Sequence, residues 1–125
     1  MIISILRSIV LSIIVISSSS FANTSDESLF ILVKKINKTL PMNLDDITTW
    51  KSVGYSDYTK ELLYHYIVDQ SNGTINKTDT SKAASARFCS SSDTRPLLEH
   101  IRIKLNYFDS NGTFLFQVKI VKQDC

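Results

Sequence analysis

Histidine is the commonest general base in enzymes, and this sequence has two, His65 and His100. Together with Glu99, the two imidazoles could also contribute ligands to a metal site. His65, however, lies within an apolar segment, and His100 immediately precedes a predicted strand, where histidine is most often structural. The sequence therefore predicts no catalytic residue, and a small secreted hydrolase that uses His65 or His100 with an Asp or Glu stands as an alternative.

Sequence patterns that hold metals or phosphates are absent. No His-x-x-x-His or Cys-x-x-Cys spacing occurs, so the ligands of a zinc site are not grouped. Asp109–Gly112 looks like the start of a calcium loop but lacks the pattern and the terminal glutamate of one. The three glycines are isolated, which excludes a glycine-rich phosphate loop. We expect no metal site and no cofactor.

The two cysteines, Cys89 and Cys125, are the other candidates for chemistry. A nucleophilic thiol needs a base and an electropositive setting, and neither is recognisable around Cys89. In an oxidising compartment an even cysteine count favours a disulfide, and a single intramolecular pairing is available. The bond would close a loop of about 37 residues and hold the last residue of the chain in place.

Three aromatic residues, Trp50, Tyr55 and Tyr58, cluster near a predicted turn. Aromatic side chains are enriched among the residues that anchor protein interfaces, so these three are candidate partner-binding residues. The alternative is that they pack in the core and at its rim.

The first 22 residues have the pattern of an export signal. Arg7 precedes an apolar stretch, Ser8–Ile16, and small residues occupy Ser20 and Ala22. Signal peptidase requires small side chains one and three residues before its cut, so we expect cleavage after Ala22. The alternative is an uncleaved anchor, but the run is too short to cross about 30 Å of hydrocarbon. The expected product is a periplasmic or secreted domain, residues 23–125, without stable membrane insertion.

The composition narrows the class of protein further. A length of 125 residues suits one domain, and 43% hydrophobic residues is typical of a folded chain rather than a disordered one. The 14 Lys+Arg and 12 Asp+Glu give a net charge of +2, which offers no electrostatic basis for binding nucleic acid. We expect a single domain whose partners include no nucleic acid.

The N-terminal half predicts one helix followed by two strands. Apolar residues recur at helical spacing over Asp26–Thr39, with a serine before the first turn and a proline after the last. Aromatic and β-branched residues predict strands over Ile47–Val53 and Glu61–Val68. We expect a turn at Gly54–Asp57 between these strands.

The C-terminal half predicts a second helix and a hairpin. The helix covers Thr80–Phe88, and a short helical turn follows over Asp93–His100. From Ile101 onward apolar and polar residues alternate on both sides of Asn111-Gly112, which predicts a β-hairpin. The fold class is α+β in the order helix-strand-strand-helix-strand-strand, with a small antiparallel sheet packed by the N-terminal amphipathic helix and one disulfide. We expect that first helix to cover the hairpin.

Several short motifs lie in a fixed order between Leu32 and Cys125. They are Asn37–Met42, Leu63–Val68, Cys89, Leu97-Leu98, Asn106–Asp109, and Gly112 before the final cysteine. With these motifs the chain resembles a loose group of small exported bacterial proteins that have two cysteines and no settled activity. The motifs belong to a fold rather than to a reaction, and the resemblance implies a periplasmic location and a Cys89–Cys125 bond.

A protein-interaction module is the function that the sequence favours. A small exported domain with a disulfide and no catalytic constellation suits an accessory factor of envelope assembly, or an inhibitor or immunity-type binder. Its partner would be another protein. The alternatives are the hydrolase described above and a subunit of a secreted toxin or adhesive assembly.

Export should remove the first 22 residues. We expect the exported chain to begin at Asn23 because Ser20 and Ala22 satisfy the peptidase. Intact-mass spectrometry of protein from the periplasm or medium measures this directly, and Ala22→Arg should prevent the cut. A mass that includes Met1 would contradict the prediction.

Overall fold

A computed structural model describes residues 25–125, so the predicted export signal and its cleavage site lie outside the described residues. The helices are α1 (Asp26–Asn37) and α2 (Lys77–Ser90), with 3₁₀ turns at Arg95–Glu99 and Lys122–Asp124. The strands are β1 (Met42–Asn43), β2 (Thr48–Ser56), β3 (Glu61–Val68), β4 (Arg102–Asp109) and β5 (Phe114–Ile120). Within 25–125, no helix is long and apolar enough to cross a bilayer.

The first helix is capped and held against the sheet by polar side chains at its two ends. The Ser25 hydroxyl accepts a hydrogen bond from the Ser28 backbone N–H at 3.1 Å, which satisfies one free donor of the first turn. At the other end, the Asn37 amide donates to the Val53 carbonyl at 2.7 Å and accepts from the Val53 N–H at 3.0 Å. The helix ends at Asn37, two residues before the predicted Thr39, where its amide pairs with β2.

The five strands form one mixed sheet in the order β1-β2-β3-β4-β5. This confirms the α+β class and the order of the elements, and adds the short edge strand β1. The pairs β1–β2, β2–β3 and β4–β5 are antiparallel, whereas the central pair β3–β4 is parallel. The expected antiparallel sheet is therefore corrected at its centre. The physical reason is α2, because a crossover helix is what returns a chain to the starting end of a parallel neighbour.

The second helix covers the C-terminal hairpin, a place expected for the first helix. α2 packs on β5 and buries Ala84 and Phe88, whose ring meets the Tyr64 ring edge-on at 5.7 Å. α1 packs on β2 instead. The crossover from β3 to β4 places α2 over the C-terminal hairpin. α1 then packs on the part of the same face that β2 forms.

The β2–β3 turn lies further along the chain than expected. β2 continues through Gly54 to Ser56, and the turn occupies residues 57–60, where Lys60 has a φ of +57°. The Lys60 ammonium contacts both carboxylate oxygens of Asp26 at 2.8 and 2.9 Å, and the Tyr55 hydroxyl donates to Asp26 at 2.6 Å. These contacts tie the turn to the start of α1.

The β4–β5 hairpin is confirmed, and its turn is organised by one carboxylate. Asp109 Oδ1 accepts hydrogen bonds from the backbone N–H groups of Asn111 and Thr113, each at 2.9 Å. Gly112 has a φ of +85°, a conformation that side chains disfavour. The short helical turn before β4 is also confirmed, as a 3₁₀ turn over Arg95–Glu99.

The Cys89–Cys125 disulfide is confirmed, with a Cα–Cα distance of 5.3 Å. It joins the end of α2 to the segment that follows β5, so it fastens the crossover helix to the strand that the helix covers. The bond thereby closes a covalent loop that contains the 3₁₀ turn and the β4–β5 hairpin.

Loss of the disulfide should destabilise the fold. In the chain-entropy model, a loop of this length corresponds to about 4 kcal/mol, so Cys89→Ala/Cys125→Ala should lower the free energy of unfolding by roughly that amount. Urea denaturation followed by circular dichroism measures the difference, and reduced wild-type protein serves as the matched control. Equal stability of the variant and the oxidised protein would contradict the prediction.

Candidate partner-binding face

Within residues 25–125, α1 and α2 lie on the same face of the sheet and cover it. Its strands contribute a continuous layer of buried side chains: Trp50, Val53, Leu62, Tyr64, Tyr66, Val68, Ile103, Leu105, Tyr107, Val118 and Ile120. α1 adds Leu29, Leu32 and Ile36 to the same core. Side chains alternate along each strand, so the residues between these point to the opposite side of the sheet.

We call that opposite side the open face, because no helix among residues 25–125 packs on it. The strand register assigns it Thr49, Ser52, Gly54 and Ser56 of β2, Glu61, Leu63, His65 and Ile67 of β3, Arg102, Lys104, Asn106 and Phe108 of β4, and Phe114, Gln117 and Lys119 of β5. On this face Phe114 is exposed, and Leu63, Ile67 and Phe108 are half-buried. Apolar side chains that solvent reaches on one side of a sheet are a feature of interaction surfaces.

One end of the open face is apolar. Ile67 pairs with Phe108, and Phe108 pairs with Phe114, so the three side chains form a row across the sheet. The Phe108 and Phe114 rings are 5.6 Å apart in an edge-on arrangement, and Phe114 is 53% exposed. The His65 ring stacks on Phe108 with centroids 4.4 Å apart and extends the apolar surface toward the middle of the face.

The other end is basic. Glu61, 6% exposed, forms an ion pair with Lys104 at 2.8 Å and a longer one with Arg102 at 3.9 Å. The hydrogen bond from Lys104 is the main reason that the pKa of Glu61 lies below its usual value of 4.5. Lys119 lies opposite Lys104 on β5 and has no ion-pair partner among residues 25–125.

A bulge in β2 adds another positive charge. Lys51 is the extra residue at the register shift between Trp50 and Ser52, and its side chain is exposed. Its charge acts on His65: burial of the imidazole, and then the repulsion by Lys51, lower the pKa of His65 below 6.5. His65 is therefore neutral at pH 7, and it offers an aromatic surface rather than a cation.

The two histidines are not assembled into a catalytic site. His65 lies beside Asn106 in the middle of β4, whereas His100 ends the 3₁₀ turn before β4 begins at Arg102, so the two imidazoles lie at different places in the fold. Neither imidazole forms a hydrogen bond or ion pair with a carboxylate in the described part of the chain. Residues 25–125 also contain no group of three His, Cys, Asp or Glu side chains that could hold a metal ion. The geometry adds nothing in favour of the hydrolase alternative.

Trp50, Tyr55 and Tyr58, the predicted partner-binding residues, do not form one surface. Trp50 is 3% exposed and stacks on Tyr64 with centroids 5.3 Å apart. Tyr55 is half-buried under α1, where its ring meets Phe30. Tyr58 lies at the tip of the β2–β3 turn and is 93% exposed. Trp50 thus belongs to the core, and a contact of Tyr55 or Tyr58 with a partner stays a prediction.

Sequence reasoning missed the open face. β3 carries apolar residues on both of its sides, with Leu63 and Ile67 on the open one, a pattern typical of a central strand that does not tell which side is covered. The signal that could have revealed an uncovered side is that the small and polar residues of β2 lie on the same face of the sheet as Lys104, Asn106, Gln117 and Lys119 of the hairpin. That signal requires the strand order, which no local pattern supplies.

Comparisons with known proteins show what shares this fold. No protein-family model and no curated protein sequence matches the chain. Among solved structures, the chain is similar to EpsS, a pilotin from the Vibrio vulnificus type 2 secretion system (TM-score 0.67, 11% identity, 77% of this chain and 86% of that one). It is also similar to AspS, the type 2 pilotin of Vibrio cholerae (TM-score 0.64, 13% identity, 77% and 87%).

A third similar structure is a candidate secreted protein from Pseudomonas aeruginosa, with a TM-score of 0.65 and 15% identity over 80% of this chain and 95% of that one. At these identities the comparisons show a shared fold. Nearly the whole of each neighbour is matched, so the shared architecture is the complete domain rather than a fragment.

The Glu61 ion pair should make stability depend on pH. Because the folded pKa of Glu61 is lowered, its stabilising effect is complete above about pH 5 and is lost as the pH falls through the folded value. We expect Glu61→Gln to lower the free energy of unfolding by about 1 kcal/mol at pH 7, with a smaller difference at pH 3. Urea denaturation at both pH values measures it.

The matched control is Glu99→Gln, which removes the exposed pair with Lys122. Its effect at pH 7 should be smaller than that of Glu61→Gln, since exposed pairs contribute little. A Glu61→Gln effect that is the same at pH 3 and pH 7 would contradict the prediction.

Proposed function

We propose that this protein is an exported accessory factor of the cell envelope that binds another envelope protein, in the manner of a type 2 secretion pilotin. The observation that carries the proposal is the complete-domain similarity to EpsS and AspS. Fold alone does not specify function, so the proposal also needs a site on this chain. The open face is the candidate for that site, since it combines the exposed Phe114 ring with exposed basic side chains on one sheet.

The location fits the proposal. The predicted export signal precedes a domain closed by a disulfide, a bond that persists in oxidising compartments such as the periplasm. The neighbours are pilotins and a candidate secreted protein, which agrees with an envelope or secreted location. A periplasmic position would give the domain access to envelope components during their assembly.

The arrangement of the open face favours binding over catalysis. Its titratable groups are spread in rows across the strands, and Glu61 is already neutralised by Lys104. Proton transfer in a catalytic site requires an acid or base that faces an enclosed substrate. A partly apolar sheet surface instead suits a protein partner, because the partner removes its apolar side chains from water when it binds.

Deletion of the gene from its own bacterium tests the function. We expect secretion of type 2 substrates into the medium to fall about tenfold or more, because a missing accessory factor leaves the secretion machinery incompletely assembled. Quantitative immunoblotting of medium against cells measures the effect, and a plasmid copy of the wild-type gene should restore it. Unchanged type 2 secretion in the deletion strain would overturn the proposal.

A further inference from the structure

Three tyrosines, Tyr64, Tyr66 and Tyr107, occupy the middle of the covered face. Tyr64 and Tyr66 are two residues apart on β3, and Tyr107 is the partner of Tyr66 on β4. The Tyr66 and Tyr107 rings stack with centroids 4.8 Å apart, and the Tyr64 and Tyr66 rings stack at 6.1 Å. Side chains of a strand stand roughly perpendicular to the sheet, so stacked rings on one face carry their hydroxyls in the same direction.

The two helices leave a gap above these tyrosines. α1 packs on β2 and α2 packs on β5, and neither helix packs along the other. The strands β3 and β4, which carry the tyrosines, therefore lie between the helices, and we call this gap the tyrosine cleft. It is narrow, because Tyr64, Tyr66 and Tyr107 are only 7%, 3% and 6% exposed.

The three phenol hydroxyls have no hydrogen-bond partner among residues 25–125. Solvent reaches each of these oxygens, since the fully enclosed side-chain oxygen without a partner in the described chain is Thr59 Oγ1. Buried polar groups in proteins are almost always hydrogen-bonded. Three side chains that are more than nine-tenths buried therefore direct unpaired O–H groups into a cleft that is open to solvent.

Arg87 places a positive charge beside the cleft. Its guanidinium carbon is 5.6 Å from the centre of the Phe88 ring, which meets Tyr64 edge-on. The guanidinium is half-buried and forms no hydrogen bond or ion pair within residues 25–125. Burial raises the pKa of each of the three phenols, and the Arg87 charge acts on each pKa in the opposite direction. The guanidinium therefore lies close enough for its charge to reach all three hydroxyls.

We propose that Arg87 and the tyrosine cleft bind an oxyanion group, a carboxylate or a phosphate, of a small molecule. A guanidinium pairs with either group through two parallel hydrogen bonds, and phenol O–H groups donate to the lone pairs that remain. The Asp45 carboxylate, whose charge acts on Tyr107, already accepts hydrogen bonds from the Ile47 and Thr48 N–H groups. This inference goes beyond the proposed function and does not depend on it.

The aromatic rings around the cleft define the size and character of the ligand. Trp50 stacks on Tyr64 from one side with centroids 5.3 Å apart, and the Phe88 ring lies 5.7 Å from Tyr64 on another. Sites for small molecules combine such apolar walls with a few convergent polar groups. A helix of a partner protein, about 10–12 Å across with its side chains, is too wide for a gap that leaves these tyrosines almost buried.

Fluorescence titration of the exported protein tests the proposal. Trp50 is the single tryptophan of the chain and stacks on Tyr64, so its emission reports binding in the cleft. The probes are benzoate and inorganic phosphate, and benzamide is the neutral control for benzoate. We expect a saturable change with an anion and none with benzamide. Saturation by phosphate but not benzoate identifies a phosphate ligand, and the reverse identifies a carboxylate.

Two pairs of variants assign the binding to the cleft. Arg87→Gln should raise the dissociation constant about tenfold, whereas Arg95→Gln, the same change at an exposed arginine, should leave it unchanged. Tyr66→Phe should raise the dissociation constant about threefold, and Tyr58→Phe, at a residue that is 93% exposed, should not alter it. Because the Tyr66 hydroxyl has no partner in the free protein, Tyr66→Phe should leave the midpoint of urea denaturation unchanged.

The following outcomes would overturn the proposal: no saturable response to either anion, equal affinity for benzamide and benzoate, or unchanged affinity in a folded Arg87→Gln variant. If Arg87→Gln does not fold, unchanged affinity in Tyr66→Phe overturns it instead. A lower urea midpoint for Tyr66→Phe also contradicts it, because the hydroxyl would then already be bonded. Secretion by the deletion strain tests the proposed function separately, so either one can fail without the other.

Discussion

The parallel pairing of β3 with β4 is the constraint on which the rest of the structure depends. It forces the chain to leave the top of β3, cross the sheet through α2 and return at the bottom of β4. The crossover occupies one face, and α1 fills the remainder of that face over β2. Both helices therefore lie on one side of the sheet, and no helix among the described residues packs on the opposite side.

An aromatic layer makes this one-sided arrangement stable. Trp50 stacks on Tyr64, Tyr66 stacks on Tyr107 at 4.8 Å, and Tyr107 meets Phe116 at 4.9 Å. Each such ring buries a large apolar area, and ring pairs in these arrangements add to the stability that burial provides. Burial raises the pKa of Tyr64 and of Tyr107 to about 12, so these phenols stay neutral at physiological pH. The Cys89–Cys125 bond then fastens the crossover helix over this layer.

The open face gains its character from the same topology. Because β3 and β4 run in the same direction in register, His65 lies against Phe108, and Glu61 lies within reach of Lys104 and Arg102. The apolar side chains thus collect at one end and the basic ones at the other. A rigid sheet presents this pattern with little loss of entropy on binding, which suits a surface that recognises a protein.

Local elements of the fold could be predicted well, and their boundaries less well. Helix α1 follows from the helical spacing of its apolar residues, and the β4–β5 hairpin follows from strand alternation around Asn111-Gly112. Both patterns involve residues that are close together in the chain. The sequence predicts that β2 stops before Gly54, because glycine usually marks a turn. The pairing with β3 instead continues through Gly54 to Ser56. α2 begins at Lys77, earlier than predicted, because the Asn76 side chain caps it by accepting a hydrogen bond from the Asp79 N–H at 2.8 Å.

The sequence by itself determined the elements and the single possible disulfide, since these depend on near neighbours in the chain or on there being two cysteines. Tertiary structure decided that the central pair is parallel, that α2 rather than α1 covers the hairpin, and that Trp50 is buried while Tyr58 is exposed. It also decided that no helix among residues 25–125 covers the second face of the sheet. These outcomes depend on the register between strands that are distant in sequence, and no local pattern of side chains records that register.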